Sequence, residues 1–223
     1  MAKTIFITGT GTDVGKTYIS ALIVKKMREE GFNCGYYKPV LSGVVAENGK
    51  LLKSDCNYVV DTAKLPVQAD ECVTYWWEKA VSPHLASKLS GQNIDIRKIK
   101  EDFKNACSKY DYLLIEGAGG ITCPLILEND EKYLMKDLIK DLNTSAIIVA
   151  DGGLGTINST LLTAEYAKSN GIRIEGIILN NYKQDDIMHA DNLKQTEFLT
   201  GIKVVAKVGL NETEIPLLKD FFS

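Results

Sequence analysis

No apolar run in this 223-residue chain is long enough to cross a bilayer, and its opening, "MAKTIFITG", lacks the extended apolar stretch of a secretory leader. Nor is there a dense stripe of lysine and arginine, and the net charge is −3, which argues against nucleic acid as the main partner. The five cysteines (Cys34, Cys56, Cys72, Cys107, Cys123) are scattered without a C-x-x-C pair, and an odd number cannot all pair internally. A metal cluster or a disulfide framework is thereby disfavoured, and reduced, mostly buried thiols are expected. No Pro/Gly/Ser-rich linker, internal repeat or low-complexity tract divides the chain. The expectation is a cytoplasmic protein of one domain, residues 1–223.

What is present is an ordinary globular composition, 45% hydrophobic and 25% charged, so a substantial core can form. Short apolar runs alternate with longer helical patterns. Strands are predicted at 4–8, at 34–40 ending at a proline, and within 110–120, 145–155, 174–181 and 202–208. Helices are predicted over roughly 16–30, 95–109 and 156–171. Strands apolar on both faces, alternating with helices, imply a mostly parallel α/β sheet covered on both sides. Ligands on such sheets gather at the carboxyl ends of the strands, which is where this chain carries its glycines and acids.

The first of those ends is "TGTGTDVGKT", residues 8–17. A strand followed by glycines and then Gly-Lys-Thr opening a helix is the setting of a phosphate loop. Backbone N–H groups and the helix dipole offer positive potential there, Lys16 reaches terminal phosphates, and Thr17 suits magnesium. The spacing is one residue longer than the usual pattern, since Gly9 and not Thr10 precedes Gly15. Gly9 and Gly11 keep the backbone permissive, and the longer loop is expected to turn Thr12 and Asp13 inward.

Two further ends bear charge. Glu116 closes the apolar "YLLI" and precedes "GAGG", where an acid would meet a metal bound at the phosphate loop. Asp55 is a weaker candidate from spacing, because aspartate is common at helix starts. Lys38 sits just before Pro39, with Ser42 and Gly43 following. The residues alone leave it open between a second cation in the crevice and a plain surface lysine.

Taken together, "GTGTDVGKT", "YKPVLSG", "SD" at 54–55, "SPH" at 82–84, "EGAGG" at 116–120 and "LGTIN" at 154–158 resemble the dethiobiotin synthetases in order and approximate spacing. The matches spread over residues 3–181. That family's phosphate loop also carries five residues between its glycines. The resemblance implies a single-domain P-loop NTPase-like fold and an ATP- and Mg2+-dependent ligase. Such an enzyme traps CO2 on 7,8-diaminopelargonic acid as a carbamate, phosphorylates it, and closes a cyclic urea.

It implies catalytic roles for Lys16, Lys38, Thr12 and Ser42, the two lysines neutralising a carbamate and a γ-phosphate brought together. Magnesium would be held by Thr17, Asp55 and Glu116. Nucleotide contacts would come from Gly11, Thr12, Asp13, Val14, Gly15, Lys16, Thr17 and Tyr18, from Glu116, Gly117, Ala118 and Gly119, and from Asn180 facing the base. Asn180 can equally be read as an amide capping a strand end. The diamine would meet Thr12, Lys38 and Ser42, and its carboxylate tail the helix start Gly155, Thr156, Ile157 and Asn158 of a partner subunit, making the site one shared by a homodimer.

The likeness weakens after Asn181. A Gly-x-x-Pro turn frequent near the last strand is not kept, since Gly209 is followed only late by Pro216, and Asn192 stands where an aromatic is common. Two rival readings stand beside it: a ligase of the same superfamily that amidates a cobalamin precursor, for whose usual glutaminase domain this chain is too short, and a switch ATPase of the chromosome-partitioning or division-site type. The latter carry a lysine early in the phosphate loop, whereas residues 10–14 here are Thr, Gly, Thr, Asp and Val. "SPH" is read as a helix start, His189 as a solvated residue of a polar helix, and Trp76 and Trp77 as packing residues.

Overall fold

The computed structural model describes residues 2–128 and 130–223. Its strands are β1 (Lys3–Gly9), β2 (Cys34–Ser42), β3 (Val45–Glu47), β4 (Lys50–Lys53), β5 (Val73–Trp77), β6 (Tyr112–Glu116), β7 (Pro124–Glu128), β8 (Glu131–Leu134), β9 (Ala146–Asp151), β10 (Ile174–Asn180) and β11 (Val204–Lys207). The α-helices are α1 (Lys16–Glu29), α2 (Asp55–Ala63), α3 (Pro83–Ser90), α4 (Ile96–Lys109), α5 (Met135–Asp141), α6 (Thr156–Ser169) and α7 (Ile187–Thr200).

Seven strands form one sheet in the order β11-β10-β9-β1-β6-β2-β5, and every ladder between them is parallel. The two short hairpins β3–β4 and β7–β8 stand apart from it. β1 lies centrally and divides the core by simple alternation. Ile5 and Ile7 pack with Ile19, Leu22, Ile23 and Met27 of α1, while Phe6 joins Ile99 of α4 and Leu138 of α5 on the other face. This is the two-sided burial that the apolar strand sequences predict.

Helix starts follow local chemistry. Ser54 Oγ accepts from the Asn57 N–H at the start of α2, Asp95 accepts from Arg97 N–H at α4, and Asp186 accepts from Met188 and His189 N–H at α7. α1 and α6 differ: each opens on a glycine in left-handed backbone, Gly15 (φ 92°) and Gly155 (φ 90°), with no side-chain cap. First-turn N–H groups are therefore left for another acceptor, although at α6 the Thr156 N–H turns back to the Gly153 carbonyl at 3.3 Å.

Two expectations need correction. The sequence predicts a strand over 34–40 brought to its end by a proline, but β2 continues past Pro39 to Ser42. Its ladder with β6 ends at Tyr37, its ladder with β5 runs from Lys38 through Val40–Ser42, and Pro39 takes part in neither register, so its missing N–H costs nothing there. His189 is not solvated: it is 3% exposed, accepts from the Lys183 N–H at 3.3 Å, and meets the Tyr182 ring edge-on. Trp77 is a buried core residue stacked on Tyr75, and Pro83 opens α3, as expected. All five cysteines are free, four of them buried.

Candidate active site

The carboxyl ends of β1, β2 and β6 surround a cavity of about 780 Å3. On one side the glycine loop leaves β1, turns through left-handed backbone at Asp13 (φ 60°) and Gly15, and enters α1. Lys16 curls back over this loop and donates to the Gly11 carbonyl at 2.8 Å. Its ammonium is held below the ordinary lysine value by burial and by Lys38 nearby. An anion entering the cavity would relieve both effects.

Deeper lies a compact polar cluster around Glu116, which is 0% exposed. Thr17 donates its hydroxyl to Glu116 Oε1 at 2.7 Å, and Tyr36 donates to Oε2 at 2.9 Å. Lys38, 3% exposed, donates to Glu116 Oε1 and pairs with Asp55 Oδ2 at 2.8 Å. Burial alone would push the Lys38 ammonium down, but Glu116 and Asp55 outweigh it and hold the group above the ordinary lysine range. Burial likewise pushes the Asp55 carboxyl up, and the Lys38 charge and hydrogen bond, with help from Thr17, bring it below the usual value. The alternative of a surface lysine at position 38 is thus excluded.

Thr12, Asp13, Gly15, Lys16, Thr17, Lys38, Ser42, Asp55 and Glu116 through Gly119 all line this one cavity. Gly11, Val14 and Tyr18 belong to the same loop and helix but not to its wall, and Tyr18 OH instead donates to the Glu212 carbonyl. Asn180 lies behind the loop, where it donates to the Val14 carbonyl at 3.1 Å while its Oδ1 is buried without a partner. Gly155, Thr156, Ile157 and Asn158 stand at the start of α6 and are not among the cavity's walls.

Sequence reasoning missed several neighbours. Tyr36 could have been found by strand periodicity, since it lies two residues before Lys38 and so on the same face. Ala80, Val81, Ser82 and Pro83 form a wall, with Ser42 Oγ donating to the Val81 carbonyl at 2.7 Å. The helix-start reading of "SPH" is right for Pro83 but incomplete. Cys123 also lines the cavity and carried no signal, being one of five scattered cysteines.

A family model described as "AAA domain" matches residues 3–214. An ATP-dependent dethiobiotin synthetase of Clostridium botulinum (strain 657 / Type Ba4) is 48% identical over 220 residues, covering 98% of this chain and 96% of that protein. One from Brachyspira hyodysenteriae is 47% identical over 208 residues, 93% of this chain and 92% of the relative. The chain belongs to the dethiobiotin synthetase family. Among solved structures, a ParA family ATPase from Chlorobium tepidum matches with TM-score 0.57 at 13% identity, over 95% of this chain and 86% of that one. The septum site-determining protein MinD of Pyrococcus horikoshii, solved with Mg-ADP, matches with TM-score 0.53 at 22% identity, over 94% and 82%. That likeness is one of fold, so the partitioning and division-site ATPases share this synthetase's architecture without bearing on its chemistry.

The residues of this synthetase fit a magnesium-bound nucleotide. Thr17, Asp55 and Glu116 offer a hydroxyl and two carboxylates, an all-oxygen set suited to Mg2+, and the Lys38 ammonium already stands as a cation among them. No group of three or more His, Cys, Asp or Glu side chains able to hold a metal occurs among the described residues. A metal here would rest on the threonine hydroxyl and the two carboxylates, with water or ligand oxygens completing its shell.

Proposed function

We propose that this chain is an ATP- and Mg2+-dependent cyclo-ligase that converts 7,8-diaminopelargonic acid and CO2 into dethiobiotin. The observation that carries the reading is the convergence of two buried lysines, Lys16 and Lys38, on one cavity beside a phosphate loop. A simple ATPase has work for one such lysine. A ligase that joins a carbamate to a γ-phosphoryl group must neutralise two anions at once.

In this reading the backbone N–H groups from Gly11 to Thr17 and the Lys16 ammonium hold the triphosphate, with Gly117, Ala118 and Gly119 opposite. One substrate amine adds to CO2, losing a proton to give a carbamate that Lys38, Thr12 and Ser42 hold in line with the γ-phosphorus. A carbamate oxygen displaces ADP, giving a carbamic–phosphoric anhydride. The second amine then attacks its carbonyl carbon, loses a proton, and expels inorganic phosphate as the ring closes. Thr17, Asp55 and Glu116 would hold magnesium, which when bound would neutralise charge on the phosphate oxygens. Asn180 offers its unpartnered Oδ1 to a donor such as the amino group of adenine.

The carboxylate tail suits the uncapped N-terminus of α6 at Gly155–Asn158. Because that turn lies outside the cavity wall, the reading assigns it to the site of a second copy. Exposed Leu154, Leu162, Ile187 and Phe198, on and beside α6 and α7, support such a homodimer, Leu154 being 93% exposed. Five free cysteines favour a reducing, cytoplasmic setting.

The test is a product assay by mass spectrometry with 7,8-diaminopelargonic acid, bicarbonate, magnesium and ATP, each omitted in turn. Dethiobiotin that requires every component supports the reading. Phosphate release that ignores the diamine, with no ureido product, overturns it.

A further inference from the structure

Lys38 pairs with both carboxylates of the candidate metal site. Its ammonium touches both Asp55 Oδ2 and Glu116 Oε1, and the Thr17 hydroxyl donates to that same Glu116 oxygen. Tyr36 occupies the other Glu116 oxygen, so Oε1 is the atom left for a cation to take. Both carboxylates of the candidate metal site thus pair with the lysine, and the threonine bonds to one of them. A divalent ion and an ammonium cannot both occupy this point, since they would repel at contact distance in a site where Glu116 is wholly buried.

We propose that Lys38 is a resident counter-ion which a divalent cation evicts. In the free protein its ammonium neutralises Asp55 and Glu116. When a metal takes those carboxylates, the ammonium leaves them and turns into the cavity, where the anionic substrate is held. The proposal rests on the ligase reading for the identity of the metal ligands, and it deepens that reading: metal loading becomes the event that makes Lys38 available. Lys16 does not compete for this role, because its ammonium is engaged by the Gly11 carbonyl on the loop side.

The exchange is read without turnover. Mn2+ binding to the nucleotide-free protein is measured by electron paramagnetic resonance for the native chain and for Lys38→Met, which keeps side-chain length and removes the charge. Loss of the competing ammonium is expected to tighten Mn2+ binding roughly tenfold or more. Unchanged or weaker binding by the folded variant overturns the proposal. Should Lys38→Met not fold, the native protein serves: acetylation of Lys38, followed by peptide mass spectrometry, is expected to rise severalfold as Mn2+ saturates. Acetylation that stays constant while Mn2+ binds overturns it equally. Failure of the ligase reading is distinguishable, because a protein that shows the Mn2+ effect but makes no dethiobiotin retains the exchange and loses the substrate assignment.

Discussion

Asn180 leaves no room for a side chain at position 15: a Cβ built on Gly15 would stand 2.0 Å from its Nδ2. Gly15 also has φ 92°, a region that side chains disfavour. Gly15→Ala is therefore expected to push Asn180 from its bond to Val14, unseat the phosphate loop and weaken ATP binding. The strain amounts to about 1–3 kcal/mol. Calorimetric titration with ATP and a thermal melt check both halves, and an alanine variant with native affinity would show that the loop adapts.

Lys38→Ala is expected to lower dethiobiotin formation by at least roughly a hundredfold while nucleotide binding survives. Product assay and equilibrium binding are compared on the same preparation. Native turnover would remove Lys38 from the catalytic machinery.

Cys123 is the half-buried cysteine and it faces the cavity, whereas Cys34, Cys56, Cys72 and Cys107 are buried. Burial pushes the Cys123 thiol up to about 11, against which Lys16 acts only weakly. Iodoacetamide at pH 8 should thus modify Cys123 slowly and ahead of the others, and Mg-ATP should protect it. Peptide mass spectrometry reads the order of labelling. Labelling indifferent to nucleotide would place the ligand elsewhere.

Alkaline pH should destabilise the fold. Burial raises the Cys34 and Cys72 thiols from an ordinary 9.0 to about 12. Between those values the unfolded chain has released protons that the folded chain still holds, so stability falls as pH rises from about 9 towards 12. Below about 9 the contribution is fully present. Urea midpoints from pH 7.5 to 10.5 should fall, and Cys34→Ala with Cys72→Ala should flatten the decline.

The legible parts of this protein were those with a local cause. β1, β9 and β10 are apolar on both faces, and α1 and α6 follow the first two at glycine turns, so their places follow from sequence pattern. Thr17, Lys38, Asp55 and Glu116 were named from motif and resemblance, and they meet in space. What escaped has a non-local cause. Nothing near Pro39 reveals that β2 changes neighbours there, because the event depends on where β6 ends and β5 begins. His189 is buried by Tyr182 and the end of β9, not by a stripe on its own helix. Cys123 and Ala80–Ser82 reach the cavity from loops whose sequences carry no periodicity.

The central position of β1 also sets a timetable for the chain's birth. Its two neighbours in the sheet, β6 and β9, begin only at Tyr112 and Ala146. On the ribosome this apolar strand emerges ahead of both and waits for roughly a hundred residues of synthesis, several seconds at least, before either ladder can accept it. Until then its Ile5, Phe6 and Ile7 are a ready target for holdase chaperones and for the same strand on neighbouring nascent chains.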